Sequence, residues 1–378
     1  MKKRFLTFAL FLGAIGFIFN GCQKTAEEIK NQTPTQKTTS TTTNQTNSTS
    51  QKIQLTFTTE SGSTVDFSID RYPVPPTGPV EGDHLPKVGV FIHGIAHNGS
   101  VFFKPLMEEL KTTGKYDGFI VINLPGHAGK GWTPGKRYGD LSLRDYVTAV
   151  ETALDFLTNP RKAPEPVKIS FICGHSLGGN LLIQIQDRWS TIHSGLKKKY
   201  GVDKVVLLSP SIPAPLAWFA ADIPVAFPTS PKAVINSVTV RTDAVKGPYL
   251  NPTPELFIGF FYATRAGMPV PSPSIPEILA NMETEPYTAV AQLIGLSADG
   301  KSDVPRISVK PGIFDEVVDK KPLELIIVTC SEDPLTNKTE QDALANYLKP
   351  GSSSIEVGDP FAVHGMPFTQ PKEFVKFF

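Results

Sequence analysis

The pentapeptide Gly174-His175-Ser176-Leu177-Gly178 stands directly after the apolar run Val167-Lys168-Ile169-Ser170-Phe171-Ile172-Cys173. A buried strand running into G-x-S-x-G predicts a strand-to-helix reversal so sharp that the central serine adopts a strained backbone conformation. Glycines two residues before and after that serine keep Cβ atoms out of the crowded turn. A further glycine, Gly179, lets the next helix approach its neighbours closely, and Asn180-Leu181-Leu182-Ile183-Gln184-Ile185 can continue that helix. The pattern is the sequence form of a nucleophile elbow, with Ser176 held between a strand end and a helix start. The plain alternative is a Gly-rich turn with an incidental serine. The strand before it and the helix after it favour the elbow.

A serine hydroxyl is a weak nucleophile until a histidine takes its proton. That histidine needs a carboxylate to fix its tautomer and stabilise the imidazolium. In hydrolases with this elbow the chain order is serine, acid, histidine. Only His193 and His364 follow Ser176. His193 falls at the far end of the predicted elbow helix and reads as exposed or structural. His364, in Phe361-Ala362-Val363-His364-Gly365, lies in a loop after the expected last strand, 354–357, and is the candidate base. The acid is expected just past a core strand between the two. Leu323-Glu324-Leu325-Ile326-Ile327-Val328-Thr329 is the strongest apolar run there, and Cys330-Ser331-Glu332-Asp333-Pro334 follows it. Asp333 is the candidate acid and Glu332 its nearest rival. Asp315, Asp319 and Asp359 follow no strong strand. An Asp-Pro pair can also serve simply as a turn or a helix cap.

Charge developing on an attacked carbonyl oxygen needs preorganised N–H donors. Leu177 supplies one, at a helix N-terminus with its favourable dipole. The other is expected from the loop His93-Gly94-Ile95-Ala96-His97-Asn98, which follows the strand-like Val88-Gly89-Val90-Phe91-Ile92. Ile95 N–H is the candidate donor, and His93 is expected to shape the loop.

These landmarks, together with Asn123-Leu124-Pro125-Gly126-His127 and Val363-His364-Gly365, resemble in order and spacing those of the α/β-hydrolase superfamily. The resemblance spans about residues 53–378 and is weakest between about 211 and 320. It implies an α/β fold with a mostly parallel eight-stranded sheet flanked by helices, a Ser-Asp-His triad and a water-dependent acyl-enzyme. The chain departs from the family at Asn123, where Asp is frequent, in lacking an HGGG loop, and in a short last helix. Relatives that cleave haloalkanes or epoxides carry Asp at the elbow. Ser176 points instead to esters, thioesters, amides or related acyl groups.

The N-terminus pairs Lys2-Lys3-Arg4 with an apolar stretch from Phe5 to Phe19, too short for a spanning helix but suited to a signal-peptide core. It ends in Phe19-Asn20-Gly21-Cys22, which resembles a bacterial lipoprotein signal, with Phe19 and Asn20 departing from the usual residues. The resemblance implies removal of 1–21, lipidation of Cys22 and a membrane-anchored place in the bacterial cell envelope, facing outside the cytoplasm. Ordinary secretion and an uncleaved anchor are the alternatives. Residues 31–51 are almost entirely Thr, Ser, Asn and Gln, which cannot bury enough apolar surface to offset ordering entropy. Residues 22–51 therefore read as a lipid-anchored tether.

Residues 52–378 read as one hydrolase domain. Lys+Arg of 37 against Asp+Glu of 36 leaves no basic field for nucleic acid. With Cys22 lipidated, Cys173 and Cys330 remain; both are expected as buried thiols, with no metal cluster and no cofactor. Residues 53–59 and 63–69 alternate as a hairpin, 87–92, 118–123 and 204–209 read as strands, and 142–157 and 336–348 as helices. Between about 211 and 318 prolines crowd in among Trp218, Phe219, Phe227, Phe257, Phe260, Phe261 and Tyr262. This segment is expected to be a cap or lid over the site, its aromatics lining an acyl pocket or forming the cap's own core. The combined expectation is a membrane-tethered serine hydrolase of apolar acyl esters. Thioester, amide or carbon–carbon bond cleavage and acyl transfer use the same groups. A non-catalytic binding lipoprotein is the reading from another class. Substrate identity and oligomeric state stay open.

Overall fold

The computed structural model describes residues 50–378 apart from 74–84, 128–137, 163–164, 194, 217–240, 244–246, 251, 265–274, 296–304, 316 and 319–320. The expected signal segment, Cys22, most of the tether, and Trp218, Phe219, Phe227 and Asp319 lie outside the described residues. No helix of the described residues is long and apolar enough to cross a membrane.

The alternating residues near the start form an antiparallel hairpin of β1 (Gln51–Thr58) and β2 (Thr64–Pro73). Next come β3 (Lys87–Ile92), α1 (Gly99–Lys111), β4 (Gly118–Asn123), α2 (Leu143–Thr158), β5 (Lys168–His175), α3 (Leu177–His193), α4 (Gly195–Tyr200) and β6 (Lys204–Leu208). Between β6 and the next long strand lie β7 (Arg241–Asp243), β8 (Gly247–Leu250), α5 (Pro254–Phe261), α6 (Ile275–Leu279), β9 (Glu285–Pro286), α7 (Tyr287–Ile294), β10 (Val317–Val318) and β11 (Lys321–Pro322). The chain closes with β12 (Glu324–Cys330), α8 (Lys338–Leu348), β13 (Ile355–Val357), α9 (Met366–Thr369) and a 3-10 turn at Pro371–Phe377.

The main sheet has eight strands in the order β1-β2-β4-β3-β5-β6-β12-β13. All pairs from β4 to β13 are parallel, and β2 is antiparallel to both its neighbours. This is the predicted α/β-hydrolase fold. Parallel strands buried on both faces need apolar residues at every position. Val90, Ile122, Ile172 and Leu207 point into one core cluster, while Phe91, Val121, Phe171, Cys173 and Val206 point into the other. Helices α2 and α3 cover the first face and α1 the second. Ser142 caps α2 in a reciprocal box with Asp145, and Asn337 caps α8 with Glu340, so each helix starts just after its cap. Cys173 and Cys330 are free, buried thiols, with β6 lying between their strands.

The chain passes from β3 outward to β4 and returns to β5 on the other side of β3. Crevices in such sheets open at the carboxyl ends of the strands near this reversal. The loops after β3, β5, β12 and β13 all emerge along that edge.

Candidate active site

β5 ends at His175 and α3 begins at Leu177, so Ser176 alone makes the turn. Its φ is +52°, in the left-handed region that disfavours side-chain-bearing residues. Three backbone bonds hold it there. Its N–H donates to Leu208 O at 2.9 Å, and its carbonyl accepts from Asn180 N–H at 3.2 Å and Ser211 N–H at 3.1 Å. A Cβ on Gly174 would lie 2.5 Å from Gly178 O, and one on Gly178 would lie 2.3 Å from Ile92 O. The motif glycines are thus required by close approach, and Gly178 presses the elbow against the end of β3.

Asp333 and His364 arrive from the ends of β12 and β13. His364 Nδ1–H donates to Asp333 Oδ2 at 2.7 Å, with both side chains buried. Oδ1 of Asp333 accepts from Leu335 N–H at 2.8 Å and Thr336 N–H at 3.2 Å, while Oδ2 also accepts from the Thr336 hydroxyl at 2.9 Å. Burial pushes the Asp333 carboxyl up, but the neighbouring His364 and these hydrogen bonds outweigh it and hold the group below the usual carboxylate range. Glu332 is partly exposed and makes no hydrogen bond to His364, and Asp359 is taken by its own turn through Phe361 N–H at 2.7 Å. His364 Nε2 is buried and has no partner among the described residues, so Ser176 does not hydrogen-bond it in this structure. The residue before Ser176 is pinned to the same loop: His175 Nε2–H donates to His364 O at 2.9 Å, and the two rings lie 4.6 Å apart. His193 ends α3, the length of that helix away from Ser176.

The loop after β3 completes the cluster. His93 Nε2 accepts from Leu124 N–H at 3.0 Å and its Nδ1–H donates to Gly94 O at 2.9 Å, so the ring clasps the loop to the end of β4. Burial, with His127 close by, holds His93 well below the ordinary imidazole range and therefore neutral. A Cβ on Gly94 would lie 2.9 Å from Ser176 Cβ, which places the loop directly against the serine. Neither Ile95 N–H nor Leu177 N–H donates to another described residue. Asn123, at the position where the family often has Asp, bonds Asp70 Oδ2 through its side-chain amide at 3.0 Å and braces β4 against β2.

A family model described as the alpha/beta hydrolase family matches residues 90–377. The chain belongs to the alpha/beta hydrolase family. It is a hydrolase of that superfamily by family and by fold. Solved structures similar to it include a thioesterase domain from the curacin biosynthetic pathway (TM-score 0.49, 11% identity, covering 87% of this chain and 99% of that one). Another is the peroxisomal alpha-beta-hydrolase Lpx1 of Saccharomyces cerevisiae (TM-score 0.48, 13% identity, 87% of each chain). A third is 2-hydroxy-6-oxo-6-phenylhexa-2,4-dienoate hydrolase from Rhodococcus sp. strain RHA1 (TM-score 0.49, 14% identity, 87% of this chain and 98% of that one). No curated protein matches the chain.

In this alpha/beta hydrolase the segment between β6 and β12 packs on both site loops. Phe261 O accepts Gly365 N–H at 2.6 Å, and the Phe261 ring lies 5.5 Å from that of His364. Phe257 and Tyr262 are buried around His97, so they serve as core. The sequence reading missed Glu285, a fully buried carboxylate from β9 that reaches His127 and the loop after β3. Among the described residues no group of three His, Cys, Asp or Glu side chains is arranged to hold a metal ion.

Proposed function

We propose that this hydrolase is a membrane-tethered serine esterase acting on carboxylic esters with an apolar acyl group. Ser176 Oγ attacks the acyl carbon while His364 Nε2 takes its proton. Asp333 keeps the ring hydrogen on Nδ1 and stabilises the imidazolium, and the N–H groups of Ile95 and Leu177 receive the oxyanion. Collapse expels the alcohol, protonated by His364. Water, deprotonated by the same nitrogen, then attacks the acyl-enzyme, releases the acid and restores Ser176. The observation that carries this reading is His364 itself, with Nδ1 bound to a buried carboxylate and a buried, unpartnered Nε2. The segment over the site acts as the cap, with Phe261 beside the acyl group. Cys22 carries the lipid that tethers the domain to the membrane.

Ser176→Ala should lower kcat on p-nitrophenyl butyrate by at least about 1,000-fold with an unchanged melting temperature. A fluorophosphonate should label the wild type and not the variant. Retained turnover in Ser176→Ala refutes the assignment. Rates should rise along an acyl series from acetate to dodecanoate, and a preference for thioesters over matched esters would reassign the substrate class. Cys22→Ala should move the protein from the membrane to the soluble fraction, and unchanged membrane association would overturn the tether.

A further inference from the structure

Ile95, the proposed oxyanion donor, is followed by a residue in an unfavourable conformation. Ala96 has a φ of +58° although it carries a Cβ. Such a backbone persists only where its surroundings over-determine it. Here they come from the segment 281–285, more than 180 residues further along the chain. Ala96 N–H donates to Glu285 Oε1 at 2.7 Å, and Ala96 O accepts from Glu283 N–H at 2.8 Å. Asn98 N–H donates to Asn281 O at 2.7 Å, and the Asn98 amide reaches Glu283 Oε1 at 2.9 Å. The segment lies along the loop as a splint.

The key contact is a carboxylate with no exposure. Besides Ala96 N–H, Glu285 Oε1 meets His127 Nε2 at 2.8 Å, and Oε2 accepts from the Tyr146 hydroxyl at 3.0 Å. Among the described residues His127 Nδ1 faces only carbonyls, Leu124 O and Pro125 O, both at 3.2 Å. It therefore carries a hydrogen, and with Nε2–H donated to Glu285 the ring is an imidazolium. Burial works against that charge, but Glu285 and Glu283 outweigh it and raise His127 above the ordinary imidazole range. The pairing matters for chemistry. A lone carboxylate bonded to the residue next to the oxyanion donor would oppose the charge that develops there, and the imidazolium cancels it.

We infer that Glu285 is a positioning residue for the oxyanion site, holding Ala96 so that Ile95 N–H keeps its aim. This rests on the proposed serine-esterase reading. Its use is in the transition state, where the oxyanion exists, rather than in substrate binding. Misdirecting one such donor is worth about 10–100-fold in rate.

The test is Glu285→Met, which keeps the length of the side chain but removes the carboxylate that accepts Ala96 N–H. Its kcat should fall about 10–100-fold with KM within about twofold of wild type. Affinity for a trifluoromethyl ketone, which forms a tetrahedral oxyanion on the serine, should fall by a similar factor. The matched methyl ketone should bind unchanged, and a fluorophosphonate should still label one serine per chain at completion. If Glu285→Met does not fold, Glu283→Ala serves in its place. That side chain is partly exposed, braces Asn98 and adds negative charge near His127, so the same losses should appear, smaller. Overturning results are a kcat and trifluoromethyl ketone affinity near wild type, or a raised KM with kcat unchanged. A wild type that neither labels nor turns over overturns the esterase reading itself, which separates the two failures.

Discussion

Asp333→Asn replaces one oxygen of a fully buried side chain by an amino group, and the surrounding bonds determine its effect. The asparagine oxygen can stay on the Leu335 and Thr336 amides at the Oδ1 position, so the turn after β12 is kept. The NH2 then occupies the place of Oδ2, 2.7 Å from His364 Nδ1 and 2.9 Å from the Thr336 hydroxyl. The hydroxyl can rotate to accept. The imidazole must offer the Nδ1 lone pair instead of a hydrogen, which moves its hydrogen to Nε2, the atom that accepts the Ser176 proton in the proposed mechanism. The variant also loses the charge opposite the imidazolium. Charge centres about 4 Å apart at an effective dielectric constant near 20 interact by about 4 kcal/mol. With the wrong tautomer added, a total near 5.5 kcal/mol corresponds to about 10,000-fold at 1.36 kcal/mol per decade. The assay is kcat and kcat/KM on p-nitrophenyl butyrate, alongside a calorimetric melting temperature. A loss under about 30-fold in a folded variant would refute the reasoning, because neither the tautomer nor the charge would then matter.

The same carboxylate makes an acid-stability prediction. Its folded pKa is depressed, so its contribution is fully present above the unfolded value of about 3.9 and is lost as pH falls through the lower folded value. Denaturant midpoints measured from pH 7 downward should drop in that acid window, and the drop should be smaller in Asp333→Asn; an identical profile would contradict the pairing. Gly178→Ala drives a Cβ to 2.3 Å from Ile92 O and 2.7 Å from His93 O, both backbone atoms. It should cost about 1–3 kcal/mol of stability and reduce kcat as well, by pushing the elbow off the oxyanion loop; an unchanged melting temperature would deny that close contact.

The readable parts of this chain were those whose signal is local. β3 and β4 occupy the residues expected of them, because strands buried on both faces must be apolar throughout. The hairpin showed itself by alternation, and α2 by its apolar spacing. Asp333 and His364 were picked as candidates by chain order, each in a loop after a strand, and the structure brings them within 2.7 Å. The segment after β6 gave little to read. Its described strands are only two to four residues long, too short for any periodicity to show. The proline-interleaved aromatics looked alike in sequence, yet Phe257 and Tyr262 are buried around His97 while Phe261 sits beside His364. Glu285 carried no mark at all, standing between Thr284 and Pro286.

Sequence alone determined the turn at Ser176. Glycines at 174 and 178 are demanded by contacts within the turn and with the adjacent strand end, and such demands are written at fixed spacing. The same holds for the strands that carry Asp333 and His364 to one edge of the sheet. What tertiary structure decided is how the loop after β3 is aimed. Ala96 keeps a conformation its own side chain disfavours because a carboxylate 189 positions away is buried against it. A desolvated charge of that kind depends on which groups folding brings together, His127, Tyr146 and Ala96 N–H, and no local pattern encodes that meeting.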